Sequence, residues 1–192
     1  SGSFAAAIMA KEELSDTFPE RKICLVDSLG ASLGEGLLVI KAAKCKARGM
    51  DLEETAQRLE KLRKNIYQVF IVDDLNHLRR TGRLSNISSL VGLVLGIRPL
   101  LKGSDEGKIV AFEKHRGKKA AIKAMADKYN TLAKDTRLVG ISHCGCKSDA
   151  EYLISLLNQK NPPKEILTVK HEPATGSHLG PGAIALFFEG DS

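Results

Sequence analysis

The stretch LGIRPLLKGSDEGKIVAFEKHRGKKA, residues 95–120, predicts two strands joined by a tight turn and followed at once by a helix. Two strand-like runs, IRPLLKG and KIVAFEKHR, flank the letters SDEG at 104–107, a pattern typical of a β-hairpin. The helix is predicted over about 118–134, because apolar residues recur on one side of it: Ile122, Met125, Ala126, Tyr129 and Leu132. A hairpin that leads into such a helix indicates a domain of mixed α and β structure.

Further elements are predicted on both sides of this hairpin. Before it, a strand at 67–74 precedes a short helix that closes at Gly82; after it, Ser148 and Glu151 form a capping box for a helix that runs to about residue 159. Three more runs have the composition of strands: LVGISHC at 138–144, EILTVKHE at 165–172 and AIALFFE at 183–189. Residues 65–192 are therefore expected to form an α+β domain.

The first third of the chain, residues 1–64, is predicted to be part of a second domain. RKICLVDS at 21–28 has the continuous apolar run of a buried parallel strand, and the helix predicted after it, at about 31–48, ends at Gly49. Asp51 can cap the next helix. One strand cannot form a sheet alone, so this strand either pairs with strands elsewhere or belongs to a domain whose first part the chain lacks.

Composition argues against several classes of protein. The chain has 192 residues, 43% of them hydrophobic, which suits a globular protein with a substantial core. Its longest apolar run, ISSLVGLVLGI at 87–97, is shorter than the roughly 18 residues that a membrane-spanning helix needs. Four cysteines are too few for a secreted disulfide framework, so a reducing, cytoplasmic location is expected.

The net charge of +6 raises the question of a nucleic-acid partner. The positive residues are spread over several segments and mixed with acidic ones, and aromatic residues, which would stack on bases, make up only 5% of the chain. No nucleic acid is therefore expected as a partner, and a basic face for an acidic protein or an anionic ligand is favoured.

Two groups of polar residues could carry chemistry, but each has a simpler interpretation. Asp73 and Asp74 could be paired catalytic carboxylates, although at a strand end such residues more often cap the next helix. His143, Cys144 and Cys146 could bind a metal ion, but structural zinc needs four ligands and no further candidate stands at motif spacing. We therefore favour the helix caps and expect no metal site.

Three other features of the sequence each allow two interpretations. The letters SGS at 1–3 could form a turn whose hydroxyls and amides face an anion at the start of a helix, or be extraneous to the protein. Arg116, next to two lysines, could face an anion or form a solvated basic edge. His178, which precedes Leu-Gly-Pro-Gly, could be a packed loop residue or a polar group at the mouth of an apolar cavity.

Four stretches of the sequence occur together in an order that one protein family shares. They are SGSFAAAIMA (1–10), VDSLGASLGEGLLV (26–39), FIVDDLNHLRRTGRLSN (70–86) with the hairpin stretch quoted above, and HLGPGAIALFFEG (178–190). In these segments the chain resembles the DegV family of bacterial fatty-acid-binding proteins, the lipid-carrying partners of fatty acid kinase. That family normally has a further N-terminal stretch of about half a domain, so we expect a chain truncated at its front.

The resemblance implies an α/β fold of two domains, a partial parallel α/β N-terminal domain and an α+β C-terminal domain, enclosing one long-chain fatty acid. It implies that Ser1 and His178 meet the carboxylate, with Ser3 as a neighbouring hydroxyl where the family usually has threonine. Arg116 is the best local match for an arginine implicated in activity with the kinase. Apolar residues of SSLVGLVLGIRPLL at 88–101 would contribute walls of the acyl tunnel, or else belong to an ordinary hydrophobic core.

The resemblance also implies a carrier and not an enzyme. A partner fatty acid kinase would phosphorylate the bound carboxylate to an acyl phosphate for phospholipid synthesis, and the carrier would need no cofactor besides its lipid and no integral membrane segment. An enzyme stays open as an alternative: a small hydrolase or acyltransferase that uses Ser1 with His178. Such a serine would need a hydrogen-bonded base and a group that orients the base.

Overall fold

The structure, a computed structural model, describes residues 2–83, 96–104 and 108–191. The helices in these ranges are α1 (Gly2–Thr17), α2 (Leu33–Ala47), α3 (Leu52–Leu62), α4 (Leu75–Arg80), α5 (Lys118–Leu132), α6 (Lys147–Lys160) and α7 (Pro173–Leu179). The strands are β1 (Ile66–Ile71), β2 (Ile97–Gly103), β3 (Ile109–Arg116), β4 (Ala133–His143), β5 (Ile166–Lys170) and β6 (Ile184–Gly190). None of the described helices is both long enough and apolar enough to cross a membrane.

The described strands form one mixed sheet in the order β3-β2-β1-β6-β4-β5. The predicted hairpin is confirmed, because β2 and β3 pair antiparallel from Ile97 opposite Arg116 to Gly103 opposite Ile109. Strands β4 and β5 are the parallel neighbours, and α6 connects them. The sheet lies within 66–190, so the mixed α and β architecture expected for the second part of the chain is confirmed, while a domain boundary near residue 65 stays a prediction.

Helices α5 and α6 cover one face of the sheet and form the central core with it. The apolar stripe predicted for α5 is buried there except for Leu132, which is partly buried, and residues of α6 such as Leu153 and Leu157 are buried with it. The rings of Tyr129 and Tyr67 both pack on Phe188, with centroids 5.3 Å and 5.0 Å away. These aromatic contacts connect α5 to two adjacent strands of the sheet.

The opposite face carries two smaller apolar groups. The first, which we call the α2 cluster, contains Leu33, Leu37, Leu38, Leu59, Ile66, Ala185 and Phe187. The second, the α4–α7 cluster, contains Val72, Leu78, Leu101, Ala111, Leu179 and Ala183. Phe70 packs against both, so the two clusters adjoin on the same side of the sheet.

The predictions for the first third of the chain are confirmed for its helices and wrong for its strand. Helices α2 and α3 form close to the predicted bounds, and the carboxylate of Asp51 accepts a hydrogen bond from the backbone N–H of Glu54 at 2.7 Å. Residues 21–28 form neither strand nor helix. A strand is stabilised by hydrogen bonds to a neighbour, and the described part of the chain offers this segment none.

Two further local predictions were wrong. Ser148 does not cap α6: the helix begins at Lys147, with Cys146 at the capping position and no side-chain cap. The segment before Gly180 is not a loop but the short helix α7, which has Pro173 at its start. Proline is favoured there because its fixed φ suits the first helical turn and its missing N–H is not needed.

Candidate functional site

His178 lies in the last turn of α7, which packs beside α4. The Nε2 atom of His77 in α4 is 2.6 Å from the carbonyl oxygen of Ser177, and the hydroxyl of Thr81 donates to the carbonyl oxygen of His178 at 3.5 Å. The next residue, Leu179, is buried in the α4–α7 cluster. The backbone at His178 is therefore held by α4 and by the burial of its neighbour.

The imidazole of His178 has one nitrogen without a partner. The residue is half-buried, and its Nδ1 atom is buried yet makes no hydrogen bond to any residue that the structure describes. Most buried polar side-chain atoms in proteins have a partner, and leaving one without costs about 1–3 kcal/mol. An oxygen atom of a ligand at this position would supply the missing hydrogen bond.

The Gly-Pro-Gly segment that follows passes too close to its neighbours to carry side chains at its glycines. Gly180 and Gly182 both have φ +80. A Cβ atom would lie 2.9 Å from the ring of His77 at the first position and 1.8 Å from a carboxylate oxygen of Asp73 at the second. Both the positive φ and the lack of space therefore require glycine here.

A lysine network lies behind this segment. The ammonium group of Lys118 donates to a carboxylate oxygen of Asp149 at 2.8 Å, to one of Asp73 at 3.0 Å and to the carbonyl oxygen of Gly182 at 2.8 Å. Arg98 approaches the other oxygen of Asp73 at 3.8 Å. Burial alone would lower the pKa of Lys118, but its hydrogen bonds to the carboxylates of Asp149 and Asp73 outweigh that effect and raise the pKa. Lys118 therefore stays charged at neutral pH.

The structure separates Asp73 from Asp74, which the sequence analysis interpreted together as helix caps. The prediction is confirmed for Asp74, which precedes α4 and accepts a hydrogen bond from the backbone N–H of Asn76 at 2.8 Å. It is wrong for Asp73, whose carboxylate is bound by Lys118 and Arg98. Both carboxylates follow the end of β1, but only the carboxylate of Asp74 accepts a hydrogen bond from the first turn of α4.

A second polar cluster, which the sequence analysis missed, lies at the start of α2. The hydroxyl of Ser32 donates to Glu172 at 2.9 Å and lies 3.4 Å from Nδ1 of His171. The hydroxyl of Ser142 is 3.1 Å from Nε2 of the same imidazole. Burial lowers the pKa of His171, although the charge of Glu172 opposes this shift. Ser142 is fully buried and Ser32 is partly buried, and the hydrogen bonds of this cluster attach the start of α2 to the sheet.

His143, Cys144 and Cys146, which were considered as metal ligands, are buried or partly buried. Nowhere in the described ranges do three or more His, Cys, Asp or Glu side chains come together as a metal site would need. His143 is buried, and Cys146 donates to the carbonyl oxygen of Ala183 at 3.2 Å. Burial raises the pKa of both Cys144 and Cys146, which keeps these thiols protonated and poorly reactive at neutral pH.

The other predicted site residues do not adjoin His178 in the described ranges. Ser1 lies outside those ranges, and Ser3 is exposed in the first turn of α1. Arg116 is exposed at the end of β3. No hydrogen bond or ion pair within the described ranges connects Ser3 or Arg116 to His178, so their roles stay predictions.

Several basic residues line a cavity away from His178. A cavity of about 100 Å³ at the far end of β6 is lined by Lys44, Arg48 and Arg58, among other residues. Lys41 also lines this cavity and is less exposed than its other cations. It is paired with Asp135 at 3.2 Å and also with Glu189. The other four cations that line the cavity, Lys44, Arg48, Arg58 and Arg137, are exposed, and solvated charges of this kind contribute little binding energy by themselves.

Known proteins resemble this chain over nearly all of its length. The family model described as "Uncharacterised protein, DegV family" matches residues 1–191. A DegV domain-containing protein of Clostridium perfringens is 34% identical over 194 residues, which cover 100% of this chain and 67% of that protein. The chain thus spans about two thirds of the length of this relative.

Two solved structures extend the comparison. A fatty-acid-binding DegV family protein from Streptococcus agalactiae has a TM-score of 0.86 at 32% identity, over 100% of this chain and 67% of that one. A fatty acid kinase B3 protein from Streptococcus pneumoniae, loaded with linoleic acid, has a TM-score of 0.87 at 25% identity, over 100% and 68% of the two chains. Both similarities include the sheet and the elements around His178.

Proposed function

The chain belongs to the DegV family, and on this premise we propose that it binds a long-chain fatty acid with the carboxylate at His178. The observation that carries the proposal is the buried Nδ1 atom of His178, which has no partner in the described ranges, while the next residue, Leu179, belongs to the α4–α7 cluster. The fatty-acid-binding relative at 32% identity supports the choice of ligand.

The head group is proposed to take the place of the missing partner. A buried carboxylate without hydrogen bonds is very costly, so a fatty-acid site needs a donor near the entrance. The protonated Nδ1 atom of His178 can be that donor, and a hydrogen bond to a charged group contributes about 1.5–3 kcal/mol. Ser1 and Ser3 are proposed as further hydroxyl donors on the strength of the family resemblance.

The acyl tail is proposed to lie along the α4–α7 cluster. This cluster adjoins His178 directly through Leu179, and Leu78 brings α4 into it. Each CH₂ group removed from water contributes about 0.8 kcal/mol, so a tail of many carbons supplies most of the affinity. The further walls predicted within 88–101 lie largely outside the described residues and stay a prediction.

The bound lipid is proposed to be presented to a fatty acid kinase. The similarity to a fatty acid kinase B3 protein supports such a partner. Arg116 is exposed at the end of β3 and makes no ion pair to a described residue, so it is free to contact a partner protein. The chain itself is proposed to act as a cytoplasmic carrier that leaves phosphorylation to the kinase.

The enzyme alternative has no supporting arrangement around His178 among the residues that the structure describes. A hydrolase or acyltransferase that uses His178 as a base needs an acceptor to orient the imidazole. Within the described ranges neither a carboxylate nor a carbonyl group bonds to Nδ1 of His178. A nitrogen without an orienting partner suits a ligand-binding donor better than a general base.

Two measurements test the proposal. The purified chain is denatured and extracted, and the extract is analysed by mass spectrometry for a co-purified acid of about 14–18 carbons. A delipidated sample is then titrated with oleic acid and, as a matched control, with oleyl alcohol, which has the same tail but no carboxylate. We expect the acid to bind at least tenfold more tightly, whereas equal affinities would remove the role of His178 as a carboxylate donor.

A further inference from the structure

Lys118 connects three segments that meet behind the His178 site. Its three hydrogen bonds go to Asp73 after β1, to Asp149 in the first turn of α6 and to Gly182 just before β6. An ammonium group has three donors, so its hydrogen-bonding capacity is fully used inside the protein. Lys118 has no donor left for a ligand, and any role it has in binding must act through these partners.

The bond to Gly182 fixes one end of the segment that begins at His178. The backbone N–H of Gly182 donates to the carbonyl oxygen of Cys144 at 2.8 Å, while its own carbonyl oxygen accepts from Lys118 at the same distance. The other end is held by the hydroxyl of Thr81 at the carbonyl oxygen of His178. Between the two anchors lie only Leu179, Gly180 and Pro181, so the two ends move together.

Asp73 restricts the residue at position 182 to glycine by its close approach. Its carboxylate occupies the space that a Cβ atom of Gly182 would fill, and Lys118 bonds to the same carboxylate oxygen. Loss of the ammonium group would remove the hydrogen bond to the Gly182 carbonyl. It would also leave the carboxylates of Asp73 and Asp149 without their shared cation, so Asp73 would move and Gly182 with it.

We propose that Lys118 is a positioning residue for the fatty-acid site: it holds Gly182 and Asp73 so that the imidazole of His178 points Nδ1 toward the ligand. This inference rests on the proposed function for the identity of the ligand. Its geometric part, that Lys118 sets the environment of the His178 ring, holds whether or not a fatty acid is the ligand.

Binding to oleic acid is measured for three variants of the full chain, well below each melting temperature. Lys118→Met removes the ammonium group but keeps the apolar stem, and Lys119→Met makes the same charge change on an exposed neighbour. Asp149→Asn weakens the network at α6 without touching the bonds to Gly182 and Asp73. We expect affinity to fall at least tenfold in Lys118→Met and to change less than threefold in the other two.

A second readout needs no ligand. The imidazole resonances of His178, assigned with a His178→Gln sample among the five histidines, are recorded by NMR on the lipid-free protein at one fixed pH. We expect the His178 signal to shift in Lys118→Met and to stay as in wild type in Lys119→Met. Wild-type protein that binds no fatty acid would refute the proposed function and leave this readout intact.

Two results would overturn the inference. One is an unchanged His178 signal in folded Lys118→Met. The other is a loss of affinity in Asp149→Asn equal to that in Lys118→Met at equal melting temperatures, because the effect would then come from loosening α6 and not from Gly182.

Discussion

His178→Ala is expected to separate binding from stability. The substitution removes the proposed donor to the carboxylate, and the lost bond of about 1.5–3 kcal/mol corresponds to a roughly tenfold to hundredfold weaker affinity. The melting temperature of the lipid-free protein should change little, because Nδ1 of His178 bonds to none of the described residues. Calorimetric titration and thermal unfolding on the same sample measure both quantities.

His115→Ala is the matched control for that experiment. His115 is another partly buried histidine, but it lies in β3 and its Nε2 atom is 3.2 Å from Glu113. We expect this variant to bind oleic acid as the wild type does. A His178→Ala protein with unchanged affinity and a much lower melting temperature would make His178 a structural residue.

His171 is expected to make the protein less stable in mild acid. Burial lowers its folded-state pKa below the ordinary value of about 6.5, so protons bind more strongly to the unfolded chain. The stability that the neutral imidazole preserves is therefore complete above about pH 6.5, and it is lost as the pH falls from there through the lower folded-state pKa. His171→Gln should flatten the fall of the melting temperature between pH 7 and pH 5. An equally steep fall in both proteins would assign this pH dependence to other groups.

The two polar clusters differ in how far the sequence could predict them. His178 could be selected because its signal is local: one histidine stands directly before Leu-Gly-Pro-Gly. The cluster of Ser32, Ser142 and His171 could not, since these residues are far apart in the sequence and meet only because β4 and β5 pair in parallel beneath the start of α2. The contacts of Lys118 depend likewise on the positions of three separate segments.

Helix capping gives a matched pair of predictions at the scale of single elements. Asp51→Ala should destabilise the protein by about 1 kcal/mol, because the carboxylate accepts the otherwise unpaired N–H of Glu54 in the first turn of α3. Ser148→Ala should change the stability by less than about 0.5 kcal/mol, since α6 has already begun at Lys147 and has no side-chain cap. Urea unfolding of the two variants compares these free energies directly. A larger effect at Ser148 than at Asp51 would contradict the observed start of α6.

The elements that were predicted correctly are those whose characteristic features lie close together in the sequence. The hairpin of β2 and β3 has two apolar runs and a turn, and α3 has a cap and an apolar stripe. The strand expected at 21–28 has the right composition but no hydrogen-bonding neighbour in the described ranges, so its composition alone was insufficient. Helix α7 was missed because its seven residues include glycine and proline, and packing against α4 compensates for their low helix propensity.

At the scale of the whole molecule, the order of the strands in the sheet depends on contacts between distant segments, which no local sequence pattern specifies. Strand β6, the last in the chain, pairs with both β1 and β4 and so lies in the middle of the sheet. Its nearly continuous burial from Ile184 to Phe188 agrees with that position, since both of its faces are covered. An apolar run in a sequence indicates such burial, but it does not say which strands become the neighbours.

The described elements are expected to differ in stability according to what they bury. Helix α1 has no buried residue, and most of the stability of a helix in a protein comes from packing a buried face. Helices α2 and α3 bury one side in the α2 cluster, whereas β1, β4 and β6 lie between that cluster and the central core. Native-state hydrogen exchange should therefore give opening free energies near zero for α1 and intermediate values for α2 and α3. Values close to the global free energy of unfolding, typically about 5–15 kcal/mol, are expected for the central strands.

This order of protection also tests the predicted boundary near residue 65. If residues 65–192 fold as a unit, α2 and α3 should open while the sheet stays protected, because the central core loses none of its own contacts when the α2 cluster opens. Leu37→Ala, which removes buried side-chain volume from the α2 cluster alone, should then lower the opening free energies of α2 and α3 by about 2–5 kcal/mol. The values in β4 and β6 should fall by much less. An equal fall in all of these elements would mean that α2, α3 and the sheet unfold together, and a domain boundary near residue 65 would then have no energetic basis.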